Sequence, residues 1–231
     1  MHTIALVSQK GGSGKSTLAI GLAVAAMQDG HKVCVLEADQ QGTVSNWRRR
    51  RAQAEPVVET VSASEIDYKI PFLDRCGVTQ AIIDTAGGHG ESTEAAIRVA
   101  DLCLIPARPS PADIEATLPT LNAIRRIDKP FAFILNQTPV RSYRIADAAT
   151  ALSDTATSLN VMGVLALPYI ALRNDQQDAL GAGLAVTEYA LAGKSADEIR
   201  GLWLWVWRKL TSGSAGFEQP VNPQPELRAA G

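Results

Sequence analysis

A chain of 231 residues with 46% hydrophobic and 20% charged side chains has room for one sizeable core and the balance of a globular protein. Its net charge of −2 excludes whole-chain basicity as a route to nucleic acid, so any such contact needs a local patch. Cys34, Cys76 and Cys103 are far apart and show no C-x-x-C spacing, which argues for free thiols and against a metal or iron–sulfur centre.

The first apolar run, Thr3–Ser8, leads into Lys10-Gly11-Gly12-Ser13-Gly14-Lys15-Ser16-Thr17, and a small-residue helical run follows from Leu18 to Met27. Strand, glycine loop, helix is the arrangement that cradles phosphate, with backbone N–H groups and a helix N-terminus aimed at the anion. Lys15 is spaced to reach β- and γ-phosphates, and the Ser16 hydroxyl to ligate Mg²⁺. The plain P-loop pattern would need glycine where Gln9 stands, and Lys10 precedes the glycine pair instead. This K-G-G-x-G-K-[ST] form resembles the deviant Walker A box of the ParA/MinD family of ATPases. The resemblance implies ATP and Mg²⁺ as cofactors, bound by Gly11, Gly12, Ser13, Gly14, Lys15, Ser16 and Thr17. It also implies that Lys10 crosses a dimer interface to the phosphates of the partner's ATP.

The second strand, Lys32–Ala38, ends in Glu37-Ala38-Asp39-Gln40-Gln41-Gly42. The family's segment reads roughly D-x-D-P-Q-G, so Asp39 and Gln41-Gly42 match while Glu37 and Gln40 depart. The resemblance puts Asp39 beside the attacking water and the Mg²⁺ shell, with Lys10 and Lys15 as its catalytic companions. Arg48-Arg49-Arg50-Arg51 then stands at a helix end, which reads equally as a solvated terminus or as a phosphate- or partner-binding surface. Pro56 to Val61 is a candidate extra strand, and Ser64 to Arg75 a short helix.

Ala81–Thr85 is an apolar strand carrying Asp84, the Walker B arrangement, whose carboxylate joins Ser16 and Asp39 around the metal. Ala86 replaces the family's proline, and the glycines of Gly87-Gly88-His89-Gly90 make a candidate switch loop. Leu102–Ala107 leads to Arg108-Pro109-Ser110-Pro111-Ala112-Asp113, which resembles the family's interface segment. There Ser110 reads as an N-cap, Pro111 as the first turn and Asp113 as a first-turn partner of the helix dipole.

Phe131–Asn136 ends in an amide suited to an adenine edge, and by resemblance Asn136 and Pro168 flank the base. Val161–Leu167 reads as a further strand. Asp197 to Leu210 reads as a closing helix with Ile199, Leu202, Trp203, Val206 and Leu210 on its apolar face and Trp205 pointing away. Arg173, Lys194, Arg200, Arg208 and Lys209 are candidates for a non-specific DNA patch. The remainder, Thr211–Gly231, has the composition of a disordered tail.

Continuous apolar strands alternating with helices predict an α/β fold, a mostly parallel twisted sheet flanked by helices on both faces. By resemblance this is a P-loop NTPase domain over residues 1–210, with residues 211–231 as a tail. The implied activity is a slow, Mg-dependent ATP hydrolase that forms a homodimer with ATP, binds nucleoid DNA and answers to an activating adaptor protein. Its implied task is to partition or position DNA or other cargo. The N-terminus lacks a basic segment before a long apolar run, and no stretch has the ~18 apolar residues of a span, so the expectation is cytoplasmic, without stable membrane association. A MinD-like membrane-associated positioning ATPase is the alternative, and a metabolic P-loop enzyme a third.

Overall fold

Residues 1–140, 143–157 and 164–212 are described in the computed structural model. Among the described residues six strands form the sheet: β1 (His2–Ser8), β2 (Val33–Glu37), β3 (Val57–Thr60), β4 (Gln80–Gly87), β5 (Leu102–Ala107) and β6 (Phe131–Leu135). Their order is β3-β2-β4-β1-β5-β6, and every neighbouring pair is parallel. The expected architecture is therefore present, with the extra strand β3 at one edge.

The strands read as unbroken apolar runs because both faces are covered. Ile4 and Leu6 of β1 point into one buried layer, and Ala5 and Val7 into the other. The first layer is closed by α1 (Lys15–Gln28), α2 (Thr43–Arg50), α8 (Asn174–Gly181), α9 (Val186–Tyr189) and α10 (Lys194–Thr211). The second is closed by α3 (Ala63–Arg75), α4 (Glu91–Val99), α6 (Leu118–Arg126) and α7 (Tyr143–Thr157), with α5 (Pro111–Glu115) preceding α6. Helix α1 is apolar nearly all round because it lies between the sheet and α10.

Two expectations are corrected. Of the expected strand Val161–Leu167, residues 161–163 lie outside the described residues, and 164–167 form no strand but meet β6 at a single bridge, Phe133 to Leu165. Phe133 N–H donates to Val164 O and Ala166 N–H to Phe133 O, but Pro168 has no N–H with which to continue the ladder. Trp205 does not point away from the protein. It is half-buried and packs beside the α1–α10 core, while its neighbour Leu204 is the exposed residue, at 47%. Residues 213–231, most of the expected tail, lie outside the described residues. Among the described residues no helix is long and apolar enough to cross a membrane.

Candidate functional site

The glycine loop leaves β1 at the middle of the sheet, between β4 and β5, where open α/β sheets form a crevice beyond their strand ends. Gly14 caps α1 with φ of 92°, a left-handed conformation that penalises a side chain, and a Cβ there would lie 2.2 Å from Asn136 Nδ2. A Cβ on Gly11 or Gly12 would meet nothing within 4 Å, so the outer rim of the loop is an open cradle. No side chain caps the first turn of α1, whose N–H groups remain for an anion. Lys15 closes the cradle. Its ammonium is buried and donates to Ser8 Oγ at 3.2 Å, and that hydroxyl pairs with Ser13 Oγ at 2.8 Å. Burial lowers the Lys15 pKa, while the charges of Asp84 and Asp39 pull it back up.

Asp84, on β4, is fully buried, and neither carboxylate oxygen receives a hydrogen bond from the described residues. Burial pushes its pKa up to about 7, against the opposing pull of Ser16 and Lys15 and with a further push from Asp39 and Glu37. A buried carboxyl so poor in donors is chemically suited to a hydrated divalent cation. Asp39 is half-buried on the loop after β2, where its Oδ1 accepts the Gln41 N–H at 2.9 Å. No group of three or more His, Cys, Asp or Glu side chains is arranged to hold a metal among the described residues. A cation here would therefore take its remaining ligands from Ser16, water and phosphate oxygens, as Mg²⁺ does. The orphaned carboxylate and the open glycine cradle thus fit a magnesium–triphosphate pair.

Glu37 stands where the family pattern has an aspartate. Its buried carboxylate accepts the Val44 N–H at 2.6 Å and the Ser45 N–H at 3.1 Å, plus the Ser45 hydroxyl. It caps α2 from the end of β2. Gly87 approaches the loop so closely that a Cβ would lie 3.1 Å from Gly11 N, and Gly88 N–H donates to Ser8 O. The segment after Asp84 therefore rests directly on the phosphate cradle. His89, within it, is exposed.

Lys10 lies outside the cradle. Its ammonium is 41% exposed and stands 3.5 Å from Asp113 Oδ2. Asp113 is buried and also meets Arg108 Nε at 3.1 Å and the Ser110 hydroxyl. Burial raises its pKa, but Ser110, Arg108 and Lys10 outweigh this and hold it below the ordinary value. The predicted N-cap is present, since Ser110 Oγ accepts the Asp113 N–H. The reading of Asp113 as a dipole partner alone missed its two cations.

Beyond the helix end of the loop opens a cleft lined by Gly14, Thr17, Leu18, Asn136, Gln137 and, across from them, residues 170–173 and α8. Asn136 lines it, with its Nδ2 donating to Ser13 O at 2.7 Å, and Gln137 Nε2 donates to Gly12 O at 2.9 Å. These amides brace the loop. Pro168 is not part of the wall; it packs on α10, where a Cβ on Gly201 would lie 2.8 Å from its Cδ.

Of the five candidate DNA contacts, Arg173 and Arg200 have partners within the protein and Lys209 is half-buried. Arg173 is held by Glu198 at 2.7 Å beside the cleft. Arg200 is spread over Asp197, Thr187 O and Leu191 O. Lys209 is half-buried, and burial lowers its pKa. Lys194 and Arg208 are exposed on α10. Nor is the arginine run simply a solvated end: Arg51 is buried, forked onto Glu188 and stacked 5.0 Å from the Trp47 ring, and Arg50 donates to Leu180 O. Nothing in a run of four arginines marks the last one as internal.

Comparison with known proteins agrees with this geometry. The virC1 protein of Rhizobium radiobacter is 29% identical over 178 residues, covering 70% of this chain and 74% of that protein. The structure of apo McdA from Cyanothece superposes with a TM-score of 0.73 at 18% identity, over 88% of this chain and 98% of the other. MinD of Pyrococcus horikoshii, solved with Mg-ADP, gives 0.72 at 16% identity over 91% and 98%. The family described as VirC1 protein matches residues 1–174, and the chain accordingly belongs to the VirC1 family, within the ParA/MinD type of P-loop ATPases.

Proposed function

We propose that this chain is an ATP-driven dimerising switch that partitions or positions DNA or another intracellular cargo. The observation that carries the reading is the division of labour between two lysines on one loop. Lys15 is sealed into the phosphate cradle, while Lys10 stands outside it, on a carboxylate that keeps a second cation when Lys10 leaves. A loop serving only its own nucleotide has no use for that second ammonium.

ATP and Mg²⁺ are the ligands this reading assigns, with the metal polarising the γ-phosphoryl oxygens and spreading their charge. Gly11 to Thr17 wrap the phosphates and Lys15 neutralises them. Ser16 and Asp84 hold the hydrated cation. Asp39 orients the attacking water and accepts the charge it develops. Closure of two protomers brings each Lys10 to the other's phosphates, where a fixed ammonium in a dry interface stabilises transition-state charge. Hydrolysis removes that reason to stay closed, so turnover is slow and is set by partners such as an adaptor protein. The relatives support a positioning role: they include ParA of Rhizobium radiobacter and the maintenance of carboxysome distribution protein A of Halothiobacillus neapolitanus.

DNA contact in this reading belongs to the dimer, because Lys194 and Arg208 are too few alone and doubling them enlarges the patch. The test is fluorescence anisotropy of a labelled random duplex with protein, Mg²⁺ and a non-hydrolysed ATP analogue. Binding that requires the analogue, ignores sequence and falls steeply between 50 and 200 mM salt is the expected result. No nucleotide-dependent binding at the low salt end would overturn the DNA arm of the reading.

A further inference from the structure

The two edges of the sheet are finished differently. Along β6 the outer side is closed: Phe133 N–H donates to Val164 O at 2.6 Å, Ala166 N–H to Phe133 O at 2.8 Å and Ile170 N–H to Leu135 O at 2.9 Å. Along β3 no strand or loop does this among the described residues. Val61 N–H donates inward to Glu37 O at 2.9 Å, so the odd positions 57 and 59 also serve β2. Val58 and Thr60 alternate with them and turn both N–H and C=O to the open edge. The flanks of that edge differ in chemistry. On the α3 face stand Val57 and, one turn apart on α3, Tyr68 and Phe72, exposed at 47%, 59% and 46%. Glu59 shares this face and is neutralised by Lys69, whose ammonium lies 5.2 Å from the centre of the Phe72 ring. On the α2 face, Thr60 Oγ1 meets Ser45 Oγ at 3.3 Å, and Arg48 and Arg49 follow Ser45 on the same stripe of the helix. Arg48 donates to Ala54 O, on the chain entering β3, and Arg49 to Asn46 Oδ1; neither meets a carboxylate among the described residues.

We propose that the β3 edge is the docking site for an extended segment of a partner protein, alternately apolar and acidic, which adds to the sheet as a further strand. The main chain of that segment pairs with the N–H and C=O groups of Val58 and Thr60. Its apolar side chains cover Val57, Tyr68 and Phe72, and its carboxylates reach Arg48 and Arg49. A strand sends alternate side chains to opposite faces, which is the division the two flanks present. A second copy of this chain fits worse. Two-fold pairing through Val58 and Thr60 of both copies sets Glu59 against Glu59. Sliding the copies one way sets Thr60 opposite Pro56, which has no N–H to give, and the other way sets Val58 opposite Ser62, whose N–H is held by Glu65 at 2.7 Å. A nucleic acid would use the arginines and leave the apolar flank in water. The proposal is independent of the nucleotide reading, because β2 and β4 separate β3 from the strand that carries the glycine loop.

The test is fluorescence anisotropy of the nucleotide-free full chain with a labelled peptide, Glu-Val-Glu-Phe-Glu-Val-Glu, blocked at both ends. Two control peptides accompany it: Lys-Val-Lys-Phe-Lys-Val-Lys, and Glu-Glu-Val-Phe-Val-Glu-Glu, which keeps the composition and loses the alternation. The first peptide is expected to bind at least about tenfold tighter than either control. Amide exchange read by NMR is expected to slow at Val58 and Thr60 and to stay unchanged at Glu59. Thr60→Pro removes an outward donor and spares the β2 ladder, and is expected to weaken the peptide about tenfold. Arg48→Ala/Arg49→Ala is expected to erase the preference over the lysine peptide, and Phe72→Ala, on the helix surface, to weaken binding severalfold. Thermal unfolding confirms that each variant is folded. No binding at about 1 mM peptide, unslowed exchange at Val58 and Thr60, or wild-type affinity in both Thr60→Pro and Phe72→Ala would overturn the proposal. A nucleotide-free dimer dissolved by Thr60→Pro would overturn it in favour of a second copy, and a random DNA duplex that displaced the peptide from Arg48 and Arg49 in favour of nucleic acid.

Discussion

Arg51→Met tests whether the arginine run is surface or structure. The Arg51 side chain is 1% exposed and its fork meets Glu188 at 2.7 Å on both prongs. It also donates to Glu55 O at 2.6 Å and Gly183 O at 3.3 Å, and lies over Trp47. Removing one member of a buried pair strands the other charge and costs about 3–5 kcal/mol. Glu188 is 16% exposed and keeps the Ala185 N–H, so the lower end, about 3 kcal/mol, is the expectation. Urea unfolding followed by tryptophan fluorescence measures it. The double variant Arg51→Met/Glu188→Met is expected to regain at least about half of the loss, because no buried charge is then left alone. The pH dependence has a definite sign. Burial raises the Glu188 pKa, but the Arg51 hydrogen bonds, the Ala185 N–H and the Arg51 charge hold it below 4.5. A carboxyl depressed in the folded state contributes stability above its unfolded pKa and loses it as pH falls through the folded value. The gap between wild type and Arg51→Met therefore narrows as pH falls, first as the stranded Glu188 of the variant, raised by burial, takes up its proton above 4.5, and then as the wild-type pair is lost below it. A cost under about 0.5 kcal/mol at pH 7 would show that the run is a solvated surface and refute the clamp.

Asp84→Asn is expected to stabilise the nucleotide-free protein. Burial raises the folded pKa from 3.8 to about 7, so the penalty of ionising Asp84 is absent below 3.8 and complete above 7. Urea unfolding without Mg²⁺ should show a gain of up to about 4 kcal/mol at pH 8 that vanishes near pH 4; an unstabilised variant at pH 8 contradicts it. Glu37→Gln leaves one oxygen where two accept N–H groups, and is expected to cost about 1–3 kcal/mol in the same assay. An unchanged midpoint would mean that α2 does not need its cap. Gly14→Ala meets both the left-handed backbone and Asn136, and should lower stability by about 1–3 kcal/mol; a neutral variant would show that the cradle yields.

The parts visible beforehand were those where one side chain type has one physical use. Unbroken apolar strands followed by glycine, lysine and serine left little alternative to a phosphate cradle on a parallel sheet, and Asp84 stands in the later half of its strand, toward the same end of the sheet. Less was legible where a residue's role depends on what the fold brings from afar. Asp113 reads as a helix-start acid until β1 delivers Lys10 to it, 103 positions earlier in the chain. Arg51 meets Glu188 across 137 positions, and Asn136 meets Ser13 across 123.

The proposed switch requires two copies to share their Lys10 ammonium groups. Light scattering after size exclusion, with Mg²⁺ and a non-hydrolysed ATP analogue, tests it most directly. The wild-type chain should shift from 24.6 kDa to twice that mass. Lys10→Ala should bind the analogue with unchanged affinity yet stay at 24.6 kDa. A Lys10→Ala protein that dimerised as readily as the wild type would contradict the claim.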